Sequence, residues 1–121
     1  MKFQTFYLTC IAIIICVYIT FAPTIEAYEV DINLDLHAAS CRIWAENSGH
    51  YRIGGDGSND YHDCSSGNDP EKFSFQDQTF WVHAKVEAST RQEKIRGPYN
   101  NKTCFRIHGY LDGWYFDEES C

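Results

Sequence analysis

Four cysteines, Cys41, Cys64, Cys104 and Cys121, limit what this chain can fold into more than any other feature. Successive members are separated by 22, 39 and 16 residues, so none forms the close Cys-x-x-Cys pair that a zinc site favours. In a short exported chain such a set is expected to form two disulfides and to hold no metal. Three pairings are open to four cysteines, and the spacing selects none of them. Cys121 is the last residue, and a bond there would tie down an end that otherwise frays.

The chain's other two cysteines, Cys10 and Cys16, fall in a stretch with the marks of a secretory signal peptide. Lys2 supplies the positive start, Leu8 to Phe21 is an apolar core, and Ile25-Glu26-Ala27 offers a small residue at the cut, expected after Ala27. The apolar run is shorter than the ~20 residues of a spanning helix, and Pro23 and Glu26 end it. The expected product begins at Tyr28, is one soluble domain, and touches no membrane once the signal is removed. It carries nine Lys and Arg against sixteen Asp and Glu. That balance argues against nucleic acid as a partner, because phosphate neutralisation needs clustered cations. It also argues against a membrane-active antimicrobial or killer-type toxin, since those are cationic.

Hydrophobic alternation predicts strands almost throughout. Tyr28 to His37 places Val30, Ile32, Leu34 and Leu36 opposite Asp31, Asn33, Asp35 and His37, as an extra strand or as an extension over residues 28–39. Ser40 to Glu46 and His50 to Ile53 form a hairpin around Asn47-Ser-Gly49. Gly54 to Pro70 is too rich in Gly, Asn, Asp and Ser to bury a core and is a long loop, tethered by Cys64. Further strands follow at Glu71 to Gln76, Thr79 to Glu87, Thr103 to His108 and Trp114 to Phe116. Ala88 to Asn100 is polar, with at most one helical turn at Arg91 to Lys94 before Gly97-Pro98 stops it. Residues 40–121 are therefore expected to form an all-β sandwich or barrel with six strands.

Chemistry is harder to find. His83, Glu87, Arg91 and His108 supply the acid, base and cation types of a small ribonuclease, and His83, Lys85 and Glu87 would share one strand face. The outer face of any strand carries such residues, so no catalytic residue is assigned and a non-enzyme is expected. His50, Asp56, Asp60, His62 and Asp63 hint at a metal, but Asp56-Gly-Ser-Asn-Asp60 lacks the calcium-loop pattern, and turn formation explains it. Neither a metal nor a cofactor is expected. Asn101-Lys102-Thr103 is a glycosylation sequon, with Asn101 the acceptor. Trp44, Trp81 and Tyr99 are candidate anchors for a protein partner.

Cysteine layout and strand order together resemble the MAX effectors of plant-pathogenic fungi, the Magnaporthe avirulence and ToxB-like family, over Ser40 to Cys121. Cys41 opens the first strand of that stretch, Cys104 opens the fifth, and Asp117-Glu-Glu-Ser-Cys121 is similar to the acidic, Cys-terminated end of one member. The Gly54–Pro70 loop and the Tyr28–Ala39 segment are additions to the family pattern. The resemblance implies a six-stranded antiparallel β-sandwich of two three-stranded sheets, with disulfides Cys41–Cys104 and Cys64–Cys121. It further implies a monomeric virulence or avirulence effector, secreted and in some cases translocated into host cells. Such proteins bind a host protein, for instance a small metal-chaperone-like domain or an immune receptor, without catalysis.

Overall fold

The computed structural model describes residues 27–121. Residues 1–26, with most of the predicted signal peptide and with Cys10 and Cys16, lie outside the described residues, and the predicted cut falls at the first residue of the first strand. Nine strands make up the domain: β1 (Ala27–Leu36), β2 (Ser40–Asn47), β3 (Arg52–Gly55), β4 (His62–Asp63), β5 (Glu71–Gln76), β6 (Phe80–Val86), β7 (Lys94–Tyr99), β8 (Thr103–Tyr110) and β9 (Gly113–Glu119). One sheet runs β5-β1-β8-β9; the other runs β3-β2-β6-β7, with β4 also paired to β2. The fold is all-β, as the alternation predicts, and of the two architectures open to it a sandwich, with more strands than the six expected and with one parallel pair, β1 and β8.

β1 is a central strand and no loose extension. Val30, Ile32 and Leu36 are fully buried and Leu34 nearly so, each worth roughly 1.5–3 kcal/mol of apolar burial. Its acidic outer face stays ordered because the neighbouring strands answer it with cations. Lys72 on β5 stands 3.7 Å from Asp31, and Arg106 on β8 donates from Nε to Asp35 at 3.0 Å.

Between the sheets, β2 and β6 contribute Ile43, Ala45, Phe80, Val82, Ala84 and Val86, while β8 and β9 contribute Phe105, Ile107, Trp114 and Phe116. Aromatic contacts stitch the layers together, with ring centroids 6.0 Å apart for Tyr28 and Phe80, 4.8 Å for Phe75 and Phe80, and 5.7 Å for Tyr99 and Phe105.

The expected helical turn at Arg91 to Lys94 is absent. From Lys94 the chain instead forms β7, whose Gly97–Pro98 bond is cis. Proline is tolerated there because β7 is an edge strand with no partner on its outer side. Lys94 and Arg96 reach from this edge to the edge of the other sheet: Lys94 Nζ donates to the Trp114 carbonyl at 2.5 Å and Arg96 Nε to the Phe116 carbonyl at 3.1 Å. Two carbonyls of β9 that would otherwise invite another chain are thereby occupied.

The disulfides join Cys41 to Cys64 and Cys104 to Cys121, which corrects the pairing that the family resemblance implies. Strand register is the reason. β4 pairs with β2 so that His62 stands opposite Cys41, and the Cys64 amide donates to the Ala39 carbonyl at 3.0 Å. That leaves the Cys41 and Cys64 Cα atoms 5.7 Å apart. In the β8–β9 hairpin Cys104 lies opposite Glu119, two residues before Cys121. Cys41 and Cys104 belong to different sheets. Each bridge closes a short loop and restricts the unfolded chain by about 3 kcal/mol.

Candidate functional site

The outer face of the β3-β2-β6-β7 sheet carries the site. Alternation turns Ile43, Ala45, Val82 and Ala84 inward, so Arg42, Trp44 and Glu46 from β2 and Trp81, His83 and Lys85 from β6 point away from the core. Two of these outward residues are nonetheless buried: Trp44 is 5% exposed and His83 8%. The Trp44 and His83 rings stack at 5.1 Å, and the Arg42 guanidinium lies over the indole at 3.8 Å. Glu46 accepts from Trp44 Nε1 at 2.6 Å and stands 3.3 Å from His83 Nε2, while Glu93 is 3.7 Å from His83 Nδ1.

A ridge formed by Ser89 to Glu93 divides this surface. It is fastened to the β8–β9 turn through Asp112, whose side chain accepts from the Thr90 amide at 2.8 Å and the Thr90 hydroxyl at 3.0 Å. Those bonds hold the Asp112 carboxyl below its ordinary range. Arg91 Nε adds a bond to the Asp112 carbonyl at 2.8 Å.

An open groove of about 530 Å³ lies on one side of the ridge, lined by Arg42, Trp44, Tyr61, Lys85 and Arg91 among others. On the other side a groove of about 440 Å³ is lined by Lys94, Trp114 and Tyr115, with Arg91 shared between the two. Burial lowers the Lys94 ammonium's affinity for its proton, and that cation sits 4.6 Å from the Trp114 ring and 5.3 Å from the Tyr115 ring. A smaller hollow of about 240 Å³ opens beside Trp81, His83 and Ile95. Beyond the second groove, the β8–β9 hairpin exposes Tyr110, Leu111 and Tyr115.

Of the residues considered for a ribonuclease, the structure brings His83 and Lys85 onto one face and Arg91 to its border. Glu87 lies just beyond β6, exposed, its amide donating to the Ser40 carbonyl. His108 is on the outer face of the opposite sheet, 2.6 Å from Asp117 and stacked on Tyr115. The carboxylates that meet His83 are Glu46 and Glu93. The first shares the alternation of Arg42 and Trp44 and was legible on that ground; nothing in the sequence points to the second.

The possible anchors fare differently. Trp44 is buried, whereas Trp81 and Tyr99 are half-buried. Burial, reinforced by a bond to Glu118, pushes the Tyr99 phenol up to about 12. Among the loop residues weighed for a metal, Asp56 and His62 meet, but Asp60 accepts from the Gly57 amide and Asp63 from the Ser65 amide. His50 occupies the β2–β3 turn, with its amide donating to the Asn47 carbonyl. Asn101 is exposed in the β7–β8 turn, as a glycan acceptor must be.

No family model, no curated protein and no solved structure matches this chain.

Proposed function

We propose that the protein is a secreted, non-enzymatic effector that acts by binding a host protein, and that its contact surface is the pair of grooves flanking the Ser89–Glu93 ridge. The observation that carries this reading is the grouping of Arg91, Lys94, Tyr110, Leu111 and Tyr115 around one hairpin tip of an otherwise acidic chain. Tyrosine and arginine dominate the energetics of protein interfaces, and a patch of exposed aromatic and aliphatic side chains marks a contact site. Cations at its rim would favour a partner with an acidic surface. Two disulfides suit a protein working in an oxidising space. The bridges differ from those the family resemblance implies, so this surface, and not the cysteine layout, supports the reading.

Affinity capture from host tissue tests it. Wild-type protein should retain a specific partner that Tyr110→Ala/Tyr115→Ala loses while staying folded. A partner retained equally by that double variant and by Arg91→Glu would overturn the choice of surface.

One observation favours a second reading, a ribonuclease-like protein: His83 stands between Glu46 and Glu93, with Arg42 and Lys85 on the same face. An imidazole beside carboxylates supplies acid and base, and the cations could hold a phosphate. Incubation with RNA decides between the two, since cleavage that disappears in His83→Ala would replace the binding reading.

A further inference from the structure

A second cluster lies at the edge where β3, β4 and β5 approach one another. Asp56, His62 and Glu71 come from three segments of the chain and direct one ligand atom each to a common point. His62 Nε2 is 2.9 Å from Asp56 Oδ2 and 3.1 Å from Glu71 Oε2, and the three atoms all lie within 4.8 Å of one another.

Each member is held from behind. Gly55, at φ +84°, turns the chain where the Ile43 carbonyl would lie 2.5 Å from any Cβ. Asp56 can then grip β2 twice: its amide donates to the Ile43 carbonyl at 2.8 Å, and its Oδ2 accepts from the Ile43 amide at 2.8 Å. His62 belongs to β4, and its Nδ1 lies 3.4 Å from the Asp63 carbonyl. Glu71 opens β5 opposite Ile32.

The arrangement is short of hydrogens. With Nδ1 carrying its proton toward the Asp63 carbonyl, Nε2 presents a lone pair to two carboxylate oxygens that are also acceptors. Glu71 Oε2 is closed to solvent and receives no aligned hydrogen bond, although His62 stands close.

From this convergence we infer that Asp56, His62 and Glu71 bind a divalent first-row metal ion, Zn²⁺ foremost, at the seam between the long loop and β5. One nitrogen and two carboxylate oxygens form a donor set that Zn²⁺ accepts. Bonds of about 2.0–2.2 Å at tetrahedral angles put neighbouring ligand atoms roughly 3.3–3.6 Å apart, a little wider than the 2.9 and 3.1 Å that separate His62 from the two carboxylates. The Asp63 carbonyl orients the imidazole as outer-shell acceptors do in metal sites. His62 is the most open of the three, its side chain 36% exposed against 18% for Asp56 and 15% for Glu71. Cys41 and Cys64 also lie within reach of His62, but their sulfurs are spent in the disulfide. The ion would pin the Asp56–Pro70 loop to the sheet. None of the three ligands is among the residues that carry the host-binding proposal.

Thermal unfolding of the oxidised protein in EDTA and in ZnCl₂ tests it, with binding read in parallel by calorimetry. Zn²⁺ in tenfold excess over its dissociation constant should raise the Tm by about 6 °C or more. Glu71→Gln, which keeps the shape of the side chain, and His62→Ala should each abolish both the shift and the binding heat. Asp69→Asn, an exposed acid nearby, should retain them. Absence of a shift and of binding heat in the wild type, or equal responses in Glu71→Gln and His62→Ala, would overturn the inference. Should His62→Ala fail to fold, Glu71→Gln alone decides.

Discussion

Trp44 lies nearly flat on His83, with ring planes 21° apart, on the side of the sheet that faces away from the core. Both rings are nonetheless shielded, since Arg42 covers the indole and Glu46 and Glu93 bracket the imidazole. The outer face of β2 and β6 thus has a packed centre of its own. Trp44→Ala should remove the stack, the cation contact and the bond to Glu46 together, costing about 3 kcal/mol or more in urea-induced unfolding. Trp44→Phe keeps the stacking surface and should cost clearly less.

Non-reducing peptide mapping should give only Cys41–Cys64 and Cys104–Cys121. Removing either bridge as a Cys→Ser pair should cost about 3 kcal/mol, because the two closed loops are of similar length. A Cys41–Cys104 peptide would contradict the β2–β4 and β8–β9 registers.

Ionisation of Asp35 should set part of the acid sensitivity. A hydrogen bond from Ser66, then the Arg106 guanidinium, holds its carboxyl below the ordinary value of 3.8. A depressed carboxyl contributes stability that is fully present above the unfolded value of 3.8 and is lost as pH falls through the lower folded value. Asp35→Asn should therefore lower the Tm by a few degrees at pH 7. The gap from wild type should close in scans carried to acid pH; a gap that is constant with pH would show that charge at Asp35 plays no part.

Lys94 and Arg96 guard the edge of β9. Replacing both with Ala should free the Trp114 and Phe116 carbonyls and promote association through that strand, seen as larger species in light scattering. An unchanged molar mass across concentration would mean that these side chains do not protect the edge.

Much of this architecture is legible in the residues. Val30, Ile32, Leu34 and Leu36 announce a half-buried strand, and Phe80, Val82, Ala84 and Val86 announce another, because burial on one face imposes a period of two. What alternation does not carry is the neighbour. Nothing in Tyr28 to His37 says that β5 and β8 flank it, nor that β8 runs parallel to it. β7 escaped notice because Lys94 and Arg96, edge residues that turn to the other sheet, give it no apolar face, and Gly97-Pro98 looks like a terminator. The disulfides follow from strand register, β4 on β2 and β9 on β8, which spacing does not encode. The same holds for the sites. Trp44 and Lys85 declare their face by alternation, whereas Glu93 and Glu71 reach theirs only after distant segments have folded together.

The position of β1 has a consequence for biogenesis. Among the described residues this strand is made first, yet its partners are Glu71–Gln76 and Thr103–Tyr110. Its two ladders, and with them one whole layer of the sandwich, must wait until nearly the entire chain has emerged. Val30, Ile32, Leu34 and Leu36 stay uncovered until then, a window in which exposed strands are prone to wrong associations. The alternating aspartates Asp31 and Asp35 keep that waiting segment charged and apart from its copies.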